Sequence, residues 1–365
     1  MTTTTTTTHR SVALATTADR VLATPFNRRR MLGGALGLAA AASLAGSIGT
    51  RRAFAADGDK PDKIRIDYAY YNPSSLVLRR NGWLEEDLAA DGIEVEWTLS
   101  AGSNKANEFL RSDAVDFGST AGSAALLAKA NGSPIQTVYL YSQPEWTALV
   151  VGKDSDITSA EQVKGKKVAA TKGTDPYFFL LQTLHSVGLS EADIEVVNLQ
   201  HADGKTALER GDVDAWAGLD PHMAQTELEQ GSKLIYRNID FNTYGFLNAR
   251  QKFLEDHGPY ATRVLVQYER ARQAILADPE TAAQILSEEA SLSIDIAKKE
   301  LNERTNLKID VVPGDIQRAV LENIIPIFDD EGQLAPGADA HKSLDELFNT
   351  EFATAAVVAS ATPAP

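Results

Sequence analysis

Two strand-to-helix turns carry the residue types that hold a small anion without a basic side chain. The first is Gly118-Ser119-Thr120-Ala121-Gly122-Ser123. Gly118 and Gly122 allow close backbone approach, and Ser119, Thr120 and Ser123 add hydroxyls to the free N–H groups of a helix start. The same letters also suit a plain turn into a helix of small residues. The second is Lys172-Gly173-Thr174-Asp175-Pro176. Thr174 or Asp175 suits the N-cap and Pro176 the first helical position, with Thr174 facing a ligand across a crevice from Thr120. Asp175 capping its own helix explains those letters equally well. Turned into the crevice, its carboxylate would repel an anion and favour a ligand with an amino group.

Aromatic residues near these turns are Tyr70, Tyr71, Trp146, Tyr177, Trp216 and Tyr244. Trp146 and Trp216 lie at strand ends rather than inside an apolar period, so they are the candidate walls of a ligand pocket. His222 follows Asp220-Pro221 at a helix start, where ligand contact and simple exposure both remain open. No acid, base and nucleophile stand together, so no catalytic residues are expected. The six histidines are scattered with none at i, i+4 spacing and the chain has 0 cysteines, which argues against a metal site and implies no cofactor.

The elements that must position these turns alternate strand and helix, the pattern of an α/β fold with mixed, mainly parallel sheets flanked by helices. Strands are expected over 64–70, 93–99, 115–117, 135–141, 167–171 and 194–199, with helices over 104–111, 123–130 and 176–187 between them. Two stretches echo each other: Ala114-Val115-Asp116-Phe117 before Gly118, and Asp212-Val213-Asp214-Ala215 before Trp216. Each closes a helix–turn–strand unit, as expected of two similarly built lobes that share a crevice at their strand ends. Helices follow over 259–276, 278–290, 294–303, 315–324 and 342–348. The expected division is residues 63–149 plus 244–350 for lobe 1, 150–243 for lobe 2, and a disordered tail over 353–365.

Residues 1–55 read as a leader and twin-arginine signal. Arg28 and Arg29 precede an apolar run shorter than the ~20 residues of a membrane-spanning helix. Ala53-Phe54-Ala55 has the small-x-small form of a cleavage site, and Arg51 and Arg52 before it fit export of a folded protein. This segment holds seven of the 35 basic residues and one of the 50 acidic ones, leaving 28 against 49 and a formal charge of −21. Such a surface argues against nucleic acid and anionic membranes. The expectation is a monomeric periplasmic protein with no membrane insertion after signal cleavage.

In order along residues 63–345, I-R-I-D-Y at 64–68, A-G-S at 101–103, V-D-F-G-S-T-A-G-S at 115–123, G-K-K-V-A-A-T-K-G-T-D at 165–175 and G-D-V-D-A-W-A-G-L-D-P at 211–221 resemble the aliphatic sulfonate-binding proteins. These are type II periplasmic binding proteins of ABC importers, in the nitrate, sulfonate and taurine group. The resemblance implies two lobes with a ligand cleft between them, a small anionic solute, a cognate ABC permease and no enzymatic activity. It places Ser74, Ser75 and residues Ser119 to Ser123 in lobe 1's share of the pocket, and Thr174, Asp175 and Trp216 to Asp220 in lobe 2's. His222 stands where many relatives carry an aromatic residue. The expected ligand is an alkanesulfonate. Taurine, nitrate, another small anion or a heterocycle is the alternative, as is a lyase-type enzyme on the same fold.

Overall fold

Ile64 and Ile66 are buried between the more exposed Lys63 and Arg65, and that spacing of two sets one apolar side of a sheet into the core. The computed structural model describes residues 59–361. The leader, the cleavage site and the twin-arginine pair Arg28 and Arg29 lie outside the described residues.

From the start, the chain runs through β1 (Lys63–Tyr68), α1 (Pro73–Asn81), α2 (Trp83–Leu88), β2 (Glu94–Leu99), α3 (Ser103–Arg111), β3 (Phe117–Ala121), α4 (Gly122–Ala130) and β4 (Ile135–Pro144). Next come β5 (Leu149–Val151), β6 (Lys167–Ala170), α5 (Asp175–Ser186), β7 (Glu195–Asn198), α6 (His201–Arg210), β8 (Ala215–Ala217), α7 (His222–Gln230) and β9 (Lys233–Tyr236). The chain then returns through β10 (Gly245–Arg250) into α8 (Gln251–Ala277), α9 (Pro279–Ala290), α10 (Ile294–Lys298), β11 (Thr305–Asn306), α11 (Asp315–Glu322), α12 (Ile325–Asp330), α13 (Ala340–Leu347) and α14 (Thr350–Ala361).

These strands make two mixed sheets flanked by helices, one per lobe. The first has the order β11-β4-β10-β3-β1-β2 and the second β7-β6-β8-β5-β9. Each is parallel around its central βαβ strands and antiparallel where the chain crosses between lobes: β1 pairs β2 and β3 in parallel, whereas β10 enters antiparallel to β3 and β4. In the second sheet β6 is parallel to β7 and β8, and β5 is antiparallel to β8 and β9.

The sequence echo is structural. Asp116 accepts from the backbone N–H of Arg65 in β1 at 2.9 Å, and Asp214 accepts from that of Lys167 in β6 at 2.8 Å. Each aspartate returns its own N–H to the same residue's carbonyl, so the V-D-x strings tie equivalent strands in the two lobes.

One expectation is corrected. The tail from Ala353 is not disordered up to the last described residue: α14 buries Phe352, Ala353 and Ala356 against α8, whose length gives those small residues a surface to pack on. The helix expected from Pro259 is present: α8 is two helices that meet at His257, whose φ/ψ are non-helical, and Pro259 stands in the first turn of the second, where its missing N–H has no intrahelical role. The Asp278 N-cap is present, with its carboxylate accepting from Thr281 N at 3.1 Å.

The C-terminal helices also span both lobes. α13 packs on α4, while α12 sets Phe328 edge-on to Phe178 of α5 with ring centroids 5.1 Å apart. His185 of α5 meets Glu331 just beyond α12 at 3.0 Å.

Candidate functional site

In each lobe, helices begin at the C-terminal ends of parallel strands: α1, α3 and α4 after β1, β2 and β3, and α5, α6 and α7 after β6, β7 and β8. The first-turn N–H groups of a helix have no intrahelical acceptor and carry its positive dipole end. The lobes meet at the starts of α3 and α6 and at those of α4 and α5.

Asp175 lies at the centre of the meeting point and is 1% exposed. Its Oδ1 accepts from Ser123 Oγ and Thr243 Oγ1, each at 2.6 Å, and its Oδ2 from Trp146 Nε1 and the Thr243 N–H, each at 2.9 Å. One carboxylate thus clips the start of α4 in lobe 1 to both chain crossings. Burial pushes its pKa up, and the four donors push it back. It neither caps α5 nor offers a free lone pair to a ligand's amino group. Thr174 occupies the N-cap position, yet its hydroxyl donates to Thr171 O at 2.6 Å instead of facing the cleft. The local letters permitted a cap, and tertiary donors won the carboxylate.

The first turn is similarly committed. Ser119 N–H and Oγ both donate to Asp67, and Asn72 Nδ2 donates to Ser119 Oγ at 2.8 Å. Asp67 is fully buried, which pushes its pKa up to about 6 against those hydrogen bonds. Thr120 Oγ1 accepts from Asn248 Nδ2 at 2.7 Å inside the sheet, so its hydroxyl does not stand opposite Thr174. A Cβ on Gly122 would lie 2.5 Å from the Thr243 carbonyl, so this close approach requires glycine. Ser123 N–H donates to Thr243 Oγ1 at 2.8 Å.

The remaining expected residues divide. Ser74 is buried at the start of α1 and its Oγ has no hydrogen-bond partner, whereas Ser75 Oγ donates to Asn72 O at 2.6 Å and closes the β1–α1 turn. Trp146 packs edge-on against Tyr71 at 5.8 Å, forming an aromatic wall beside Asp175. Trp216 is not at the cleft: it is fully buried in the second lobe's core with Val150, Ala207 and Met223, and Gly204 of α6 makes room for its indole. Its immediate neighbours Ala215 and Ala217 are small and apolar, so no period in the sequence assigns the indole to a side. Asp220 is occupied by Arg304, whose Nη1 lies 3.0 Å from Oδ1, and by the Ala224 N–H at 2.8 Å. Burial pushes Asp220 up to about 6 even so. His222 is half-buried at the start of α7, and burial with the nearby Lys205 lowers it to about 4.

Sequence reasoning missed five residues at the interface. Gly102 and Asn104 open α3 in lobe 1, and Gln200 and His201 open α6 in lobe 2. A Cβ on Gly102 would stand 2.8 Å from His201 Nε2 and 2.9 Å from Asn104 Oδ1, so the two helix starts face each other directly. Gln200 Oε1, Asn104 Oδ1 and His201 Nε2 are buried without hydrogen-bond partners. The signal was topological: every parallel strand end contributes to the crevice, including those after β2 and β7. Arg304 was also missed. It crosses from lobe 1's helical block to Asp220 and Glu227 of lobe 2 and is buried.

A surface depression of about 570 Å³ lies away from this interface, against Arg65, Asp116 and Arg250, where the charges already pair with one another. Among the described residues, no group of three or more His, Cys, Asp or Glu is placed to hold a metal ion. No helix among them is long and apolar enough to cross a membrane.

Comparison with known proteins places this architecture. The family described as NMT1/THI5 like matches residues 77–282. A protein of Bacillus subtilis (strain 168) named as aliphatic sulfonates-binding is 28% identical over 299 residues, covering 81% of this chain and 82% of its own. One of the same name from Escherichia coli (strain K12) is 25% identical over 276 residues, covering 75% and 86%. The alkanesulfonate-binding protein SsuA from Xanthomonas axonopodis pv. citri, solved bound to MOPS, shares the fold with a TM-score of 0.71 at 22% identity. That match covers 78% of this chain and 98% of the solved one.

Proposed function

The chain belongs to the NMT1/THI5-like family, and on that premise we propose that it is the solute-binding component of an ABC importer, capturing a small organosulfonate by closure of its lobes. The observation that carries this reading is the facing of the α3 and α6 starts across the lobe interface. First-turn N–H groups of α1, α3 and α5 hold the sulfonate head, and Tyr71 and Trp146 supply an apolar wall for the carbon chain. The relatives named for aliphatic sulfonate binding support the ligand class.

Lobe 1 is proposed as residues 63–149 with 244–350 and lobe 2 as 150–243, with Asp175, Thr243 and Trp146 at the junction. Capture needs no chemistry, and the polar groups at the junction are committed to structure rather than arranged as acid, base and nucleophile. Residues 1–55, through Arg28 and Arg29, direct folded export to the periplasm, where the monomer delivers its solute to a cognate permease. Calorimetric titration of the exported chain with ethane-, propane- and butanesulfonate tests the reading, with nitrate as comparison. The expected result is one-to-one sulfonate binding; heat from nitrate alone moves the ligand to inorganic anions, and no heat from any of them overturns the reading.

A further inference from the structure

His201 opens α6 at the lobe interface and is 1% exposed. Its Nδ1 lies 3.1 Å from Thr171 Oγ1, and that hydroxyl donates to the Leu199 carbonyl at 2.6 Å. A hydroxyl has a single proton, so Thr171 must accept from the ring, and Nδ1 is the protonated nitrogen. Burial, with His222 nearby, lowers the imidazole to about 3 and keeps it neutral. Nε2 is therefore a bare lone pair. It has no hydrogen-bond partner and lies against Gly102 of lobe 1, where an added Cβ would stand 2.8 Å away.

Asn104 and Gln200 also present unpaired oxygens here, but a side-chain amide can turn its nitrogen inward instead. His201 lacks that freedom because Thr171 holds the tautomer. A buried acceptor left unpaired costs free energy, and sulfonate oxygens, being acceptors themselves, cannot relieve it. The carboxylate of Asp175 is saturated by four donors, so an amino group on the ligand finds its acceptor at His201 rather than there.

We propose that His201 Nε2 accepts a hydrogen bond from an N–H or O–H group of the ligand, so that this cleft selects sulfonates bearing a hydroxyl or amino group over plain alkanesulfonates. The proposal rests on the sulfonate reading above and names the far end of the same ligand. A site built around a buried acceptor rejects an analogue that lacks the donor.

Calorimetry with three ligands of equal heavy-atom count tests it: propane-1-sulfonate, 2-hydroxyethanesulfonate and 2-aminoethanesulfonate. The wild-type protein is expected to bind at least one donor-bearing ligand about tenfold more tightly than propane-1-sulfonate, the worth of one buried hydrogen bond. The favoured arm identifies O–H or N–H as the donor. His201→Phe is expected to shrink the preference to about threefold or less. Should that variant not fold, Thr171→Val, which frees the ring to take the other tautomer, is expected to reduce the same preference. Equal wild-type affinities, or a preference that survives loss of the imidazole, overturn the proposal and leave sulfonate capture standing. Absence of binding in all three arms overturns both.

Discussion

Ser123 Oγ donates to Asp175 Oδ1 at 2.6 Å across the lobe junction, from the start of α4 to the start of α5. The same carboxylate takes Trp146 and Thr243, so lobe 1, lobe 2 and both crossings converge on one buried acid. Asp175→Asn replaces an acceptor with a donor that faces other donors. Unfolding in urea should show a loss of about 2–3 kcal/mol, the range for a hydrogen bond to a charged group plus an unpaired partner. An unchanged midpoint would mean that the junction is held by other contacts.

Gly122→Ala places a methyl 2.5 Å from the Thr243 carbonyl, which is backbone and cannot swing away. The expected cost is about 1–3 kcal/mol from overpacking. Thermal unfolding reads it directly, and Gly152→Ala, with open space around the Cβ position, is the control.

Arg304 pairs with Asp220 across the lobes at 3.0 Å, and both are buried. Arg304→Met leaves Asp220 without its partner and is expected to cost about 3–5 kcal/mol. The double variant Arg304→Met with Asp220→Asn should recover a large part of that, since the penalty belongs to the orphaned charge. Additive losses in a double-mutant cycle would contradict direct coupling.

Asp67 gives a pH signature opposite to that of a salt-bridged carboxylate. Burial raises it from 3.8 to about 6, so the folded state binds its proton more tightly than the unfolded state does. Its contribution to stability is therefore greatest below pH 4 and is lost as pH rises towards 6. A rise from 3.8 to about 6 corresponds to about 3 kcal/mol. In Asp67→Asn that loss disappears, so stability at pH 7 relative to pH 4 should be higher than in wild type by an amount of that order. Urea titrations at the two pH values decide it.

Much of the framework was legible in the sequence because it rests on short-range pattern. Period-2 burial marks β1, the two V-D-x strings mark equivalent strands, and Asp278-Pro279 marks the start of α9. The site was less legible. Asp175 followed by proline spells a helix cap, whereas its partners Ser123 and Thr243 lie 52 and 68 residues away, beyond any local pattern. Trp216 sits in a strand too short for a period to tell core from cleft, and only Gly204 on α6 shows which side receives the indole. His201 carries no motif, and its role emerges only when lobe 1 brings Gly102 against it. The Ala-rich end read as frayed because its partner surface, α8, is distant in sequence.

Gly102 gives a test of closure. Its backbone is extended, so alanine brings no strain, but the added methyl would stand 2.8 Å from His201 Nε2. Gly102→Ala should weaken sulfonate affinity about tenfold or more, since about 1.4 kcal/mol of lost closure is enough, and should lower the unfolding midpoint as well, because Thr171 holds the ring that the methyl meets. Unchanged affinity in calorimetry would show that the lobes need not approach here.

The central claim is that a sulfonate is held between helix starts of opposite lobes. A crystal structure with an aliphatic sulfonate bound tests it most directly. The account predicts the sulfonate oxygens within about 3 Å of first-turn N–H groups of α1, α3 and α5, hydrogen-bond range for N–H donors, with the carbon chain against Tyr71 and Trp146. A sulfonate seated away from the lobe interface, or held there by lysine and arginine side chains instead of helix starts, would contradict it.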